Sequence, residues 1–133
     1  MSIYDLFAAD NKAEIEGVEL VYGKAKVRVA RAGGSNTKYL KSLDRHTRGL
    51  RKQIQHDQLS NEDGNNIMRE VFAESIILGW TGMVGRDGKE IPFSKEACLK
   101  LLKELPDLFA DIQEQAGKFA LYREIAREGE AGN

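Results

Sequence analysis

Cysteine is nearly missing from this 133-residue chain: Cys98 stands alone, so no internal disulfide can form, and a lone thiol suits a reducing compartment. Tryptophan is as scarce, with Trp80 its only copy, and proline occurs twice. No apolar run approaches the roughly 18 residues that suggest a membrane span, and the first residues lack the basic start and apolar core of a signal peptide. An excess of either charge is also lacking. Twenty Lys and Arg against 21 Asp and Glu leave −1, a balance that demands no nucleic-acid partner. What remains is an ordinary globular composition, 41% hydrophobic and 31% charged, suited to a single domain over 1–133.

The patterning predicts an α+β fold, mainly α. Residues 14–31 read as a β-hairpin with a Gly23-Lys24 turn. That turn sets Leu20 opposite Val27, Val18 opposite Val29 and Glu19 opposite Arg28, giving apolar pairs on one face and an ion pair on the other. A lone hairpin is marginal in water, so its apolar face needs a bundle beneath it. Four helices are predicted, near 37–57, 61–79, 94–105 and 107–127. Ser60 with Asp63 caps the second, Ser94 caps the third, and Pro106 starts the fourth as a first-turn residue. Ile67, Met68, Val71, Phe72, Ile76, Ile77 and Leu78 make the second helix the central one. Residues 1–11 and 128–133 read as frayed ends.

The segment GWTGMVGRDGKEIPFS, residues 79–94, carries four glycines three apart and invites a ligand-loop reading. Its details refuse one. Gly88-Lys89 is followed by Glu90 where a phosphate loop needs Ser or Thr, and the spacing is not that of a dinucleotide fingerprint. A calcium-loop register puts Met83 and Gly85 at ligand positions. Asp87-Gly88 reads instead as a tight hairpin with Val84 opposite Ile91, letting Trp80, Ile91 and Phe93 fold back on the helices. A second calcium lookalike, with Asn61, Asp63, Gly64 and Glu70, has Leu59 where the first aspartate belongs. His46 and His56 lie ten apart among cations, and Cys98 sits on an apolar helix face as an inert thiol. The reading assigns no catalytic residue, no metal ligand and no cofactor.

One asymmetry remains. Lys38, Lys41, Arg45, Arg48, Arg51 and Lys52 face only Asp44, six cations against one anion and a local charge of +5. A solvated face, an acidic protein partner or neighbouring copy, and nucleic acid are the readings it allows. Along the same helix Leu40, Leu43, Thr47, Leu50 and Ile54 repeat three and four apart, a heptad-like seam. The seam and its basic rim, Lys41, Arg45, Arg48, Arg51 and Lys52, form the candidate surface for self-association and for a helical client.

The order Trp80, Asp87, Gly88, Ile91, Phe93, Ser94, Leu101, Leu102, Pro106, Asp107, Leu108, Phe109 resembles the tail assembly chaperones of long-tailed, siphovirus-type bacteriophages. The resemblance covers residues 71–122 and rests on turn and packing positions. It implies a non-enzymatic factor of the host bacterial cytoplasm, absent from the mature virion. Such factors keep the long helical tape measure protein soluble and promote tail tube polymerisation, with tape measure protein and tail tube protein as partners. Many are made in two lengths by a ribosomal frameshift. The competing expectation is a small helical nucleic-acid-binding or regulatory module that uses the basic helix over 38–52.

Overall fold

Gly23 turns the chain with φ +63° while Lys24 keeps an ordinary φ, the combination of a type II′ turn. In the computed structural model, which describes residues 1–124, that turn joins β1 (Val18–Tyr22) to β2 (Ala25–Val29). The register is the one the sequence predicts: Val18 pairs with Val29, Glu19 with Arg28 and Leu20 with Val27. Val18, Leu20, Val27 and Val29 are buried on one face, and Glu19, Val21, Lys26 and Arg28 point to solvent on the other. The hairpin begins later than predicted, because residues 14–16 belong to a helix.

A third strand was not foreseen. The helix predicted over 61–79 stops early, as α5 (Asn61–Ser75), and Ile77–Thr81 form β3, antiparallel to β2. Sheet order is therefore β1-β2-β3, with Val27 opposite Trp80 and a bulge between Arg28 and Val29. Ile76, Ile77 and Leu78 read equally well as the end of a buried helix, because periodicity cannot separate a short apolar run in a helix from one in a strand. β-branched Ile76 and Ile77 before Gly79 and Trp80 suit a strand, and β2 gains a partner for its otherwise open edge.

The other helices are α1 (Ile3–Phe7), α2 (Asn11–Glu16), α3 (Thr37–Thr47), α4 (Arg51–Gln55), α6 (Lys95–Glu104) and α7 (Pro106–Ala116). The helix predicted over 37–57 is thus interrupted, with a 3-10 turn at Arg48–Leu50 around Gly49. Ser60 Oγ accepts from Asp63 N at 3.1 Å and Ser94 Oγ from Ala97 N at 3.0 Å, as their capping roles require, and Pro106 opens α7. Beyond Gly117 the predicted fourth helix gives way to a 3-10 turn at Phe119–Tyr122. Its predicted last residues, 125–127, and the expected frayed end over 128–133 lie outside the described residues.

Residues 1–11, predicted to fray, are structured instead. Ser2 and Asp5 make a capping box for α1, and Asp10 caps α2. Asp10 N donates to Tyr122 O at 2.7 Å, Glu124 N to Ala8 O at 2.9 Å, and Ala9 bridges Arg123. No local pattern could reveal a partner so distant in sequence.

The core lies between the inner face of the sheet and the helices. Val27 and Val29 meet Phe72 and Ile76 of α5 and its end, Cys98 and Leu102 of α6, Phe109, Ile112 and Ala116 of α7, and Tyr122. Phe72 takes Phe109 edge-on at 5.5 Å, the geometry that ring quadrupoles favour. Tyr122 OH donates to Val29 O at 3.1 Å, which satisfies a hydroxyl that is otherwise fully buried.

Candidate interaction surfaces

The glycine-rich loop is built by packing. Trp80 Nε1 donates to Ile91 O at 2.8 Å, and its ring meets Phe93 edge-on at 4.9 Å. Gly88 N donates to Gly85 O at 3.0 Å with Gly88 at φ +76°, so Asp87-Gly88 end a turn that begins at Gly85. Val84 consequently bridges Glu90, one residue short of the predicted Ile91, while Ile91 N reaches Met83 O at 2.8 Å. Gly82, at φ +68°, packs so closely that a Cβ would collide with the Lys24 carbonyl. These contacts position backbone and rings around Trp80, Asp87, Gly88 and Phe93, while Ser94 caps α6 and Pro106 opens α7.

Cys98 is fully buried, and burial pushes its thiol up to about 12, so it stays protonated and unreactive at neutral pH.

The site that sequence reasoning missed is Glu74 on α5. Ser42 Oγ donates to it at 2.8 Å and His46 Nε2 lies 3.0 Å away, both from α3; Arg45 adds an ion pair. Lys95, first residue of α6, donates at 2.9 Å and also meets Glu70 at 3.2 Å. Burial raises the Glu74 pKa, but the hydrogen bonds from Lys95, Ser42, His46 and Arg45 outweigh it and hold the carboxyl down at about 2. His46, Glu70 and Glu74 form a group whose ligand atoms could converge on a cation. In this arrangement the Lys95 ammonium supplies the positive charge, and the junction ties α3, α5 and α6 together. The available sequence signal was Glu70 and Glu74 one helical turn apart.

That junction divides the predicted basic stripe. Arg45 is committed to Glu74, while Arg48 and Arg51 donate to Asp44 at 2.7 and 3.0 Å on the outer side. Lys38, Lys41 and Lys52 are exposed and meet no carboxylate among the described residues. The predicted seam divides as well: Leu43 and Leu50 are half-buried, and Leu40 and Ile54 are exposed. The inner face of α3 is Tyr39, Ser42, Leu43 and His46, with Tyr39 edge-on to Phe72 at 6.2 Å. Lys38 and Lys41 border a depression of about 260 Å³ whose wall includes exposed Ile15. His56 is exposed at the C-terminal end of α4 and makes no bond to this cluster.

Among the described residues no helix is long and apolar enough to cross a membrane. No curated protein and no solved structure matches the chain in the comparisons made. A family match does exist, to the family described as YdaY prophage protein, and it spans residues 34–133. It takes in α3 to α7, the Glu74 junction and the Trp80 loop, well over half of the sequence, and so the chain belongs to the YdaY prophage protein family and is phage-derived.

Proposed function

We propose that this phage protein is a non-enzymatic tail assembly chaperone. It binds the tape measure protein in the host bacterial cytoplasm, keeps it soluble, promotes tail tube polymerisation beside the tail tube protein, and leaves before the virion matures. The residues that carry the resemblance fall on one continuous unit, from Trp80 through the Gly88 turn and capped α6 to the Pro106-led α7. Phage membership agrees with that role.

The observation that carries the reading is the outer side of α3 and α4. Leu40 and Ile54 lie exposed there with Lys38, Lys41 and Lys52, cations that meet no carboxylate among the described residues. An amphipathic client helix with an acidic flank suits that surface: leucine contacts provide affinity and the lysines steer the encounter. A nucleic-acid role is the second reading, favoured by the same lysines. It is weakened because Arg45 is already paired with Glu74, and Arg48 and Arg51 with Asp44.

Co-expression with the tape measure and tube proteins of the same phage, followed by pull-down, tests the proposal. Soluble tape measure protein retained on the wild-type chain, and lost with Lys38, Lys41 and Lys52 reversed to Glu, is the expected result. Retention on DNA that falls steeply with salt, without client retention, would favour the second reading.

A further inference from the structure

α1 is a helix without a buried residue. Ile3 is 63% exposed, Tyr4 77% and Phe7 58%, and the aromatic pair of Phe7 with Phe119 stands 5.9 Å apart at the surface. A groove of about 270 Å³ opens beside that pair, walled by Phe7, Ala9 and Phe119 and closed by Arg31 and Arg123. A capping box holds this helix in shape, so its apolar side is presented to solvent as a formed surface. Scattered apolar residues at a surface are ordinary; a contiguous set on one capped helix marks a contact.

We propose that this face is where a second copy of the chain docks, α1 of each copy lying in the α1–Phe119 groove of the other. Two observations select that occupant. The first is area. At about 150–250 Å² for a whole aromatic side chain, the exposed parts of Ile3, Tyr4, Leu6, Phe7 and Phe119 come to roughly 600 Å². That is most of the ~800 Å² each partner covers in a stable complex. The second is charge. Asp5 on α1 meets no cation among the described residues. Arg123 in the groove stacks over Phe119 at 5.1 Å and donates to Leu6 O at 2.9 Å, yet meets no carboxylate among them. A two-fold axis brings Asp5 of each copy to Arg123 of the other, satisfying the charge twice with one patch. The α3 seam, with only Leu40 and Ile54 uncovered, offers much less apolar area, so self-association moves from there to α1. The inference stands apart from the chaperone reading: a strict monomer that still retains client would overturn this proposal alone.

Sedimentation velocity on the full chain over a concentration series tests it. The wild type should shift to dimer mass in the micromolar range. Tyr4→Glu should remain monomeric and melt like the parent, since Tyr4 is largely exposed on a helix with no buried residue. Asp5→Arg and Arg123→Glu should each be monomeric alone, and an equimolar mixture should recover dimer, because only a mixed pair restores both contacts. A wild type that never leaves monomer mass overturns the proposal, as does a Tyr4→Glu dimer of unchanged affinity. A mixture that stays monomeric while both variants melt like the parent also overturns it. So does a dimer that appears only after truncation behind Glu124, because then the chain's own tail is the occupant.

Discussion

On its inner side α3 sends Ser42, Arg45 and His46 to a carboxylate of another helix, and Lys95 arrives at the same Glu74 from a third. On its outer side Arg48 and Arg51 meet Asp44, a residue of α3 itself. Both clusters are salt bridges of similar length. The Glu74 side chain is 19% exposed and Asp44 45%, and this difference decides what each is worth. The inner cluster gathers partners from segments 21 to 32 residues away and fixes how three helices lie. The outer one joins Asp44 to residues only four and seven positions further along the chain, in water that screens them. The same charges serve architecture on one side and leave the other side free for encounter.

Removing Glu74 should give the largest effect. Glu74→Ala strands Arg45 and a buried Ser42 hydroxyl and leaves Lys95 with Glu70 alone, and should lower stability by about 2–3 kcal/mol, the scale of charged hydrogen bonds left without a partner. A urea unfolding series measures it, and a loss no larger than that of Asp44→Ala would erase the contrast between the two sides.

Acid provides a finer probe. Glu74 sits at about 2 in the fold against an ordinary 4.5, so its stabilisation is complete above about 4.5 and is lost as pH falls toward 2. Glu74→Gln should therefore flatten the acid limb of the stability curve between those values, as followed by melting temperature against pH. A limb as steep as the parent's would mean that other carboxylates govern acid unfolding.

Reversing Lys38, Lys41 and Lys52 to Glu should leave the melting temperature within a few degrees of the parent, since these side chains are exposed. Association with an acidic helical client should slow by about tenfold or more and lose its sensitivity to salt, measured by stopped flow. Asp44→Ala should do least. Its carboxyl is held below the ordinary value by hydrogen bonding to Arg48 and then by that residue's charge, but water reaches it readily, and the melt should not move beyond its scatter.

What could be read from the sequence was what neighbouring residues decide. Leu20 opposite Val27 follows from a two-residue turn, and Ser60, Ser94 and Pro106 mark helix starts by their own chemistry. Trp80 was readable as an anchor with a satisfied N–H, although its acceptor, Ile91 O, was not. β3 was missed because Ile76, Ile77 and Leu78 suit a buried helix as well as a strand until β2 is known to lie beside them. The candidate surface was half legible. Its cations are visible in sequence, but which of them remain unpaired depends on Glu74, which no local spacing connects to α3.

The backbone pairing of residues 8–10 with 122–124 also sets an order in time. Arg123 reaches Leu6 O across 117 positions, so α1 is synthesised long before the residues that hold it in place. While the intervening chain is made, Tyr4 and Phe7 have no Phe119 beside them, and the sheet lacks the Tyr122 hydroxyl that closes on Val29. Nascent chains halted before Phe119 should therefore be protease-sensitive and held by the host's own folding machinery, whereas chains released past Glu124 should close within one cooperative step.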